Sequence, residues 1–311
     1  MLQDSVRVYA PATVANVACG FDVLGFALYE PGDEIVMRKT NSGKTEITLI
    51  TGDSGKLSRD ASKNTAGVVV DAFLERIGQR PGIAIELHKK MPLGSGLGSS
   101  AASAVASLFA INELMGRPLT RMEMLPFAIE AERLACGAAH ADNVAPSLLG
   151  GFTLVRSYEP LDVVKLHTPS DLIATVVHPH IEIRTEDARS ILRKSVTLKD
   201  AIVQWGNVGG LVAGLLMSDY GLIGRSLHDQ IVEPLRALLI PNFAQAKQAA
   251  IEAGALGCSI SGSGPSIFAL STSHQTGQKI AAAIAAAFAK VNIATDCYVS
   301  TINAEGPRIL D

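Results

Sequence analysis

Residues 91–100 read MPLGSGLGSS, and the apolar run AASAVASLFAINEL follows at once. Gly94, Gly96 and Gly98 alternate with Ser95 and Leu97, and Ser99 and Ser100 open the run. Glycine costs chain entropy on folding, so a cluster of this kind marks tight turns or a close approach of backbone to a ligand. The first N–H groups of a helix have no backbone partner, and the aligned peptide dipoles leave positive potential there. A strand, a glycine loop and then a helix is therefore the order that lets bare N–H groups surround a phosphate. A flexible connection capped by an ordinary serine is the plain alternative. Leu97 weighs against it, because a solvated linker has no use for a leucine.

Three better-known motifs fail on their own residues. A Walker A loop needs G-x-x-x-x-G-K-[ST]. Gly43-Lys44-Thr45 supplies its end, but the first glycine falls on Arg38, and the context reads as a hairpin turn. The dinucleotide fingerprint starts well at Gly94 and Gly96 and then finds Ser99 at its third glycine. The serine-hydrolase elbow G-x-S-x-G has Gly96 where the nucleophile belongs. If the loop binds phosphate, it does so without a Walker lysine.

The organisation of the chain supports a phosphate loop in an α+β protein. VRVYAPATVA, FDVLGFALYE, DEIVMRKT and TEITLI read as strands, with a turn expected at Pro31-Gly32. A helix is expected over 63–78. In GIAIELHKK, Ile83, Ile85 and Leu87 alternate with more polar neighbours, as a half-buried strand does. That strand leads into the loop, and the helix after it runs to Leu114 and stops at Gly116 and Pro118. Thr120 and Glu123 form a capping box for the next helix, which passes Pro126 and ends at Gly137. GGFTLVRSY closes a first domain. DLIATVVH opens a second, followed by two or three helices with an interruption expected at Gly209-Gly210. The helix in NFAQAKQAAIEAG, the strands LGCSIS and SIFALS, the helix KIAAAIAAAFAKV and the strand DCYVSTIN complete a ferredoxin-like order with extra helices. The division is expected near 160, giving domains 1–160 and 161–311.

Composition excludes several classes. With 311 residues, 48% hydrophobic, the chain has material for two cores. A net charge of -3 and no basic stripe argue against nucleic acid. No apolar stretch is long enough to span a bilayer, and no signal peptide is evident, so a soluble cytoplasmic protein is expected. Cys19, Cys136, Cys258 and Cys297 are scattered and suggest neither disulfides nor zinc.

Three stretches together resemble the GHMP kinases. PLGSGLGSSAA at 92–102 is similar to their central motif, APATVANVACGFDVLGFAL at 10–28 to their first, and CSISGSGPSIFAL at 258–270 to their third. AHADNVAPSLLGG at 139–151 and IVEPLRALLIPNF at 231–243 resemble the homoserine branch of that family. The resemblance implies a two-domain α+β fold, with a ribosomal-protein-S5-like N-terminal domain that binds ATP and a ferredoxin-like C-terminal substrate domain. It implies transfer of the ATP γ-phosphoryl group to the side-chain hydroxyl of L-homoserine, a step of threonine biosynthesis, with Mg2+ as cofactor and commonly a homodimer.

Residue roles follow from the resemblance. Pro92, Leu93, Gly94, Ser95, Gly96, Leu97, Gly98, Ser99, Ser100 and Ala101 would hold the ATP phosphates, and Asn64 the adenine. Ser100 and Glu132 would hold the metal, since Mg2+ prefers a few protein oxygens plus phosphate and water. On residues alone, Glu132 reads as a solvated helix face beside Glu130 and Arg133, and Asn64 as an N-cap. Asp142 would take the substrate ammonium, with Asn16 and Asp22 beside it. Arg189 and Arg236 would clamp the carboxylate, with Arg225 an alternative to Arg236. Asn143 and Thr185 would lie near the reacting hydroxyl, together with Arg189, and Gly262 would bring backbone to the substrate. Lys89 and Lys90 stand either near phosphate or at a solvated strand end. His140, and His178 with His180, read as structural. Asp142 serves either as the ammonium site or as a general base. The competing readings are a mevalonate- or shikimate-type kinase, a nucleotide-binding homologue without activity, and a serine hydrolase.

Overall fold

The structure, a computed structural model, describes residues 4–136 and 141–311. The helix stop expected at Gly137 and the histidine at 140 lie outside those residues. In chain order the first half forms β1 (Ser5–Ala15), β2 (Leu24–Thr40), β3 (Thr45–Thr51), α1 (Thr65–Ile77), β4 (Gly82–His88), α2 (Ser99–Leu114), α3 (Arg121–Cys136), α4 (Ala141–Leu149), β5 (Phe152–Tyr158) and β6 (Leu161–Lys165). The second half forms β7 (Ile173–Pro179), α5 (Thr185–Ser190), α6 (Leu198–Met217), α7 (Tyr220–Ser226), α8 (Glu233–Arg236), α9 (Phe243–Glu252), β8 (Gly257–Ile260), β9 (Ile267–Ser271), α10 (His274–Ala289), β10 (Thr295–Thr301) and β11 (Arg308–Leu310).

The strands make two sheets. The first has the order β11-β1-β2-β4-β3, with β5 added to β2 and β6 to β5. The second has the order β10-β7-β9-β8, antiparallel throughout, which is the ferredoxin-like arrangement expected. The expected division at 160 falls between β5 and β6, inside the first sheet, and β11 returns the C-terminus to that sheet. Phe26 on β2 packs on Phe152 at 4.7 Å between ring centroids and edge-on against Phe268 of β9 at 5.9 Å. One apolar core therefore crosses from sheet to sheet and fixes how they sit.

Three local expectations are corrected. Pro31-Gly32 makes no turn, because β2 runs straight through it. The strand changes partners there. Leu24–Phe26 pair with β5 and Glu34–Thr40 with β4, so the proline, which has no N–H, stands in the gap between the two ladders. Gly43-Lys44-Thr45 is not a hairpin, since β3 pairs parallel with β4 and not with β2. Finally, α6 is unbroken across Gly206, Gly209, Gly210 and Gly214. Two of these glycines serve packing. A Cβ on Gly210 would run into Ser226 Oγ, and one on Gly214 would lie 2.9 Å from the Ile223 backbone nitrogen. They let α7 lie directly against α6.

The packing predicts the cost of filling that contact. Gly214→Val should destabilise the protein by about 1–3 kcal/mol, as overpacked sites do, read as a lower urea midpoint at unchanged slope. An unchanged midpoint would contradict the close approach of α6 and α7.

Candidate active site

The glycine loop leaves β4 and enters α2 with Gly94, Gly96 and Gly98 at φ of 66°, 77° and 67°. L-residues rarely adopt this left-handed region, so the alternation of glycine is a backbone requirement. Side-chain bulk is excluded as well. A Cβ on Gly96 would strike the Ser261 carbonyl oxygen and lie 2.9 Å from that of Gly264, and one on Gly98 would strike Thr13 and lie 2.7 Å from Asn143 Oδ1. The loop is tied down on both sides. Thr13 N donates to Leu97 O at 3.0 Å, Ser266 N to Ser95 O at 3.2 Å, and Ser261 Oγ to Gly96 O at 2.8 Å. Leu97 is fully buried, as its presence in the loop suggested. Gly98 is the N-cap and offers no side-chain bond to the first turn of α2, the end of a helix that favours an anion.

Beneath the loop lies a buried ion pair that sequence reading did not find. Lys89 Nζ donates to Asp33, to Ser99 O at 2.7 Å and to Ser103 Oγ at 2.7 Å. Asp33 also accepts from Lys90 N at 2.8 Å, Met91 N at 3.2 Å and Ser99 Oγ at 3.0 Å. Lys89 is therefore no solvated strand end. It is buried, it lines the cavity, and burial lowers its pKa against the pull of Asp33. Lys90 turns outward and pairs with Glu34. The one signal for Asp33 was an aspartate opening DEIVMRKT, which read as a strand start.

Glu132 is also buried, against the solvated face expected from its neighbours. Its carboxylate accepts from Ser100 Oγ at 2.5 Å. Burial pushes its pKa up to about 7, opposed by the Ser100 hydrogen bond and by the Lys89 charge. Two hard oxygens in the cavity of the glycine loop, one on a carboxylate that burial disfavours as an anion, fit a divalent cation with few protein ligands. Glu130, by contrast, is exposed and pairs with Arg133.

The opposite wall comes from the first and third motifs. Asn16, at φ 70°, donates from Nδ2 to Gly262 O at 2.8 Å and accepts from Asp22 N at 3.0 Å. Its backbone N–H donates to Asp142 Oδ2 at 3.2 Å, while Asp142 Oδ1 is buried without a hydrogen-bond partner among the described residues. Burial, and next the nearby Asp22 charge, push the Asp142 pKa up to about 7. Arg189 grips Asp22 with both terminal nitrogens, at 3.0–3.2 Å. Arg236 is buried, donates to Gly262 O at 2.8 Å and Ala188 O at 3.2 Å, and makes no ion pair among the described residues. Both guanidinium groups sit over Phe21, at 5.7 Å for Arg189 and 5.1 Å for Arg236. Arg225, the alternative, is on α7 and does not line the cavity. Asn143 Oδ1 accepts from Thr13 Oγ1 at 2.8 Å, and Thr185 Oγ1 lies 3.4 Å from Ser263 Oγ.

These walls enclose one cavity of about 380 Å³. Every residue expected at the site lines it except Pro92. Asn64 lines it while capping α1, accepting from Ala66 N at 3.1 Å and donating to Ser58 O at 2.9 Å, so the cap and the cavity position coexist. Two positioning contacts were not legible in the sequence. Gln204 of α6 donates to Cys19 O and Asp229 Oδ1, both at 2.9 Å. Asp229 in turn accepts from Ile231, Val232 and Glu233 N–H groups and so orients the short α8 that carries Arg236. His178 bonds to Ser266 Oγ, and His180 pairs with Asp296, outside the cavity. Among the described residues no group of three or more His, Cys, Asp or Glu forms a metal cluster.

The comparisons with known proteins cover the whole chain. Residues 64–151 match the model of the GHMP kinases N terminal domain, and residues 211–290 that of the GHMP kinases C terminal. A homoserine kinase of Chlorobium phaeovibrioides is 56% identical, covering 98% of this chain and 99% of its own. One of Xylella fastidiosa is 37% identical, covering 98% and 94%. The crystal structure of homoserine kinase from Cytophaga hutchinsonii is 61% identical and matches with a TM-score of 0.98, covering 100% of this chain and 98% of that one. The L. major mevalonate kinase complex with R-mevalonate shares the fold at 15% identity, with a TM-score of 0.75 and coverage of 97% and 98%.

The Asp33–Lys89 pair makes a testable demand. Asp33→Asn leaves a buried cation without its counter-charge and should cost about 3–5 kcal/mol. Adding Lys89→Met should recover most of that loss in denaturant unfolding. A double variant no more stable than the single one would contradict the pairing.

Proposed function

This chain belongs to the GHMP kinase family, and from that premise we propose that it transfers the γ-phosphoryl group of ATP to the side-chain hydroxyl of L-homoserine, giving O-phospho-L-homoserine and ADP in threonine biosynthesis. The observation that carries the substrate is Asp142. A buried carboxylate with one oxygen unpartnered, in the same cavity as a phosphate loop and two arginines, suits a ligand with both an ammonium and a carboxylate. Mevalonate and shikimate have no ammonium, and a nucleotide-binding homologue without activity has no use for this set. No histidine lines the cavity, so a serine hydrolase finds no base there among the described residues.

The N–H groups at the start of α2 and the loop around Gly96 cradle the triphosphate, and Asn64 stands where the nucleoside enters the cavity. Ser100 and Glu132 would hold Mg2+, which neutralises charge on the phosphates. Asp142 takes the ammonium. Arg236, with carbonyl partners only, and Arg189, with Asp22 as exchangeable partner, take the carboxylate. The hydroxyl oxygen then attacks the γ-phosphorus beside Asn143 and Thr185, the bond to the β–γ bridging oxygen breaks, ADP leaves, and the hydroxyl proton passes to solvent. Asp142 is committed to the ammonium, so positioning and electrostatics supply the rate and no dedicated base operates. We further propose that the enzyme is cytoplasmic and acts as a homodimer; among the described residues no helix is long and apolar enough to cross a membrane.

An ADP-coupled assay across homoserine, mevalonate, shikimate and galactose, with and without Mg2+, tests the proposal. Turnover of homoserine that needs the metal is expected, and no turnover with homoserine would overturn it. Asp142→Asn should raise the homoserine KM by tenfold or more with kcat at saturation nearly kept; the reverse pattern would make Asp142 a base. The Asp142 pKa near 7 gives a further sign. Below it the carboxyl is neutral in the free enzyme and does not attract an ammonium, so homoserine affinity, titrated without nucleotide or metal so that Glu132 plays no part, should show a limb that falls as pH drops through about 7. The Asp142→Asn variant should lack that limb. A profile identical in both proteins would contradict the assignment.

A further inference from the structure

The buried side of α6 holds Leu211, Gly214 and Leu215, and Gln204 reaches the substrate wall from the same side. Its outer side is apolar and uncovered. Leu198, Ile202, Trp205 and Leu216 are 69%, 52%, 58% and 57% exposed. With Gly209 and the half-buried Val212 they fall at spacings of four, three, four, three and four residues, the stripe that faces a partner helix. Seven of the seventeen exposed large hydrophobic residues among those described lie between 196 and 217. At roughly 200 Å² per large apolar side chain, the four exposed residues of the stripe leave on the order of 500 Å² open, so two copies would bury about 1,000 Å² together, the lower bound for a specific interface. The area on one copy matches the largest apolar patch of an ordinary monomer, about 300–600 Å², which is often a functional surface.

We propose that this stripe is the surface through which a second copy of the chain docks, α6 against α6, antiparallel across a two-fold axis at Asn207. The proposal rests on the homodimer reading above and names its surface. The stripe is self-complementary about that residue. Leu198 faces Leu216 of the second copy, Ile202 faces Val212, and Trp205 faces Gly209. A two-fold interface requires such reciprocal pairing. The third pair sets the large exposed indole opposite a glycine whose Cβ would meet nothing within 4 Å in its own chain. Ala201 and Ala213 pair in the same register and let the helices approach closely. Residues 201–218 contain no charged side chain, so over most of the stripe a partner recognised by charge has nothing to engage.

The test is mass in solution by sedimentation equilibrium, with circular dichroism to confirm folding. The wild-type protein should run at twice its 32.6 kDa chain mass. Gly209→Trp places indole against indole and should weaken association at least tenfold while the monomer stays folded. Trp205→Gly should weaken it as well. The exchange Trp205→Gly with Gly209→Trp recreates the large-to-small pair and should restore the dimer. A monomeric wild type overturns both the homodimer reading and this surface. A dimer indifferent to Gly209→Trp overturns the surface alone, and a double variant that fails to recover overturns the antiparallel register.

Discussion

The site depends on a seam between two pieces of backbone that have almost no side chains. The loop around Gly96 and the turn at 261–264 come close enough that a Cβ on Gly96 would meet two carbonyl oxygens of the turn. Ser261 Oγ bonds across the seam to Gly96 O, and Ser266 N to Ser95 O. One side of the seam ends in the first turn of α2. The other side offers Gly262 O to Asn16 and Arg236, the residues that shape the opposite wall. On the proposed function, phosphate and acceptor would be held against each other by main chain, whose geometry varies little, with long side chains left to read the ends of the ligand.

Burial sets the electrostatics of both halves. Glu132 and Asp142 are carboxylates that the surrounding protein disfavours as anions, and each is raised to about 7. On the proposed assignment, a ligand that brings positive charge would relieve the cost at each point: a metal at Glu132 and an ammonium at Asp142. The same terms act on stability. A carboxyl with a raised folded pKa contributes most below its unfolded value near 4 and loses that contribution as pH rises through about 7. The ligand-free protein therefore gives up stability at neutral pH that bound ligands restore.

The parts of this arrangement that follow a period or a motif were legible in the sequence. Alternation gave β4, the capping box gave α3 (Thr120 and Glu123 bond as expected), and the order of elements gave the ferredoxin-like sheet. What escaped was decided by tertiary contacts. Pro31-Gly32 reads as a turn to any local rule, and only the change of strand partner makes it strand. Gly209-Gly210 reads as a break, and only the packing of α7 turns Gly210 into a contact. Asp33 and Gln204 are single polar residues inside ordinary elements, and their partners lie 56 and 185 residues away. Glu132 was misplaced on its own neighbours, since burial of a helix face depends on what packs over it.

The seam itself admits one direct measurement. Gly96→Ala adds a methyl where the two carbonyl oxygens stand, without touching any side chain that contacts a ligand. Calorimetric titration of the variant with a non-hydrolysable ATP analogue, and separately with homoserine, should show both affinities falling together. Loss of nucleotide binding with homoserine binding unchanged would show that the two halves are built independently, and the account would be wrong.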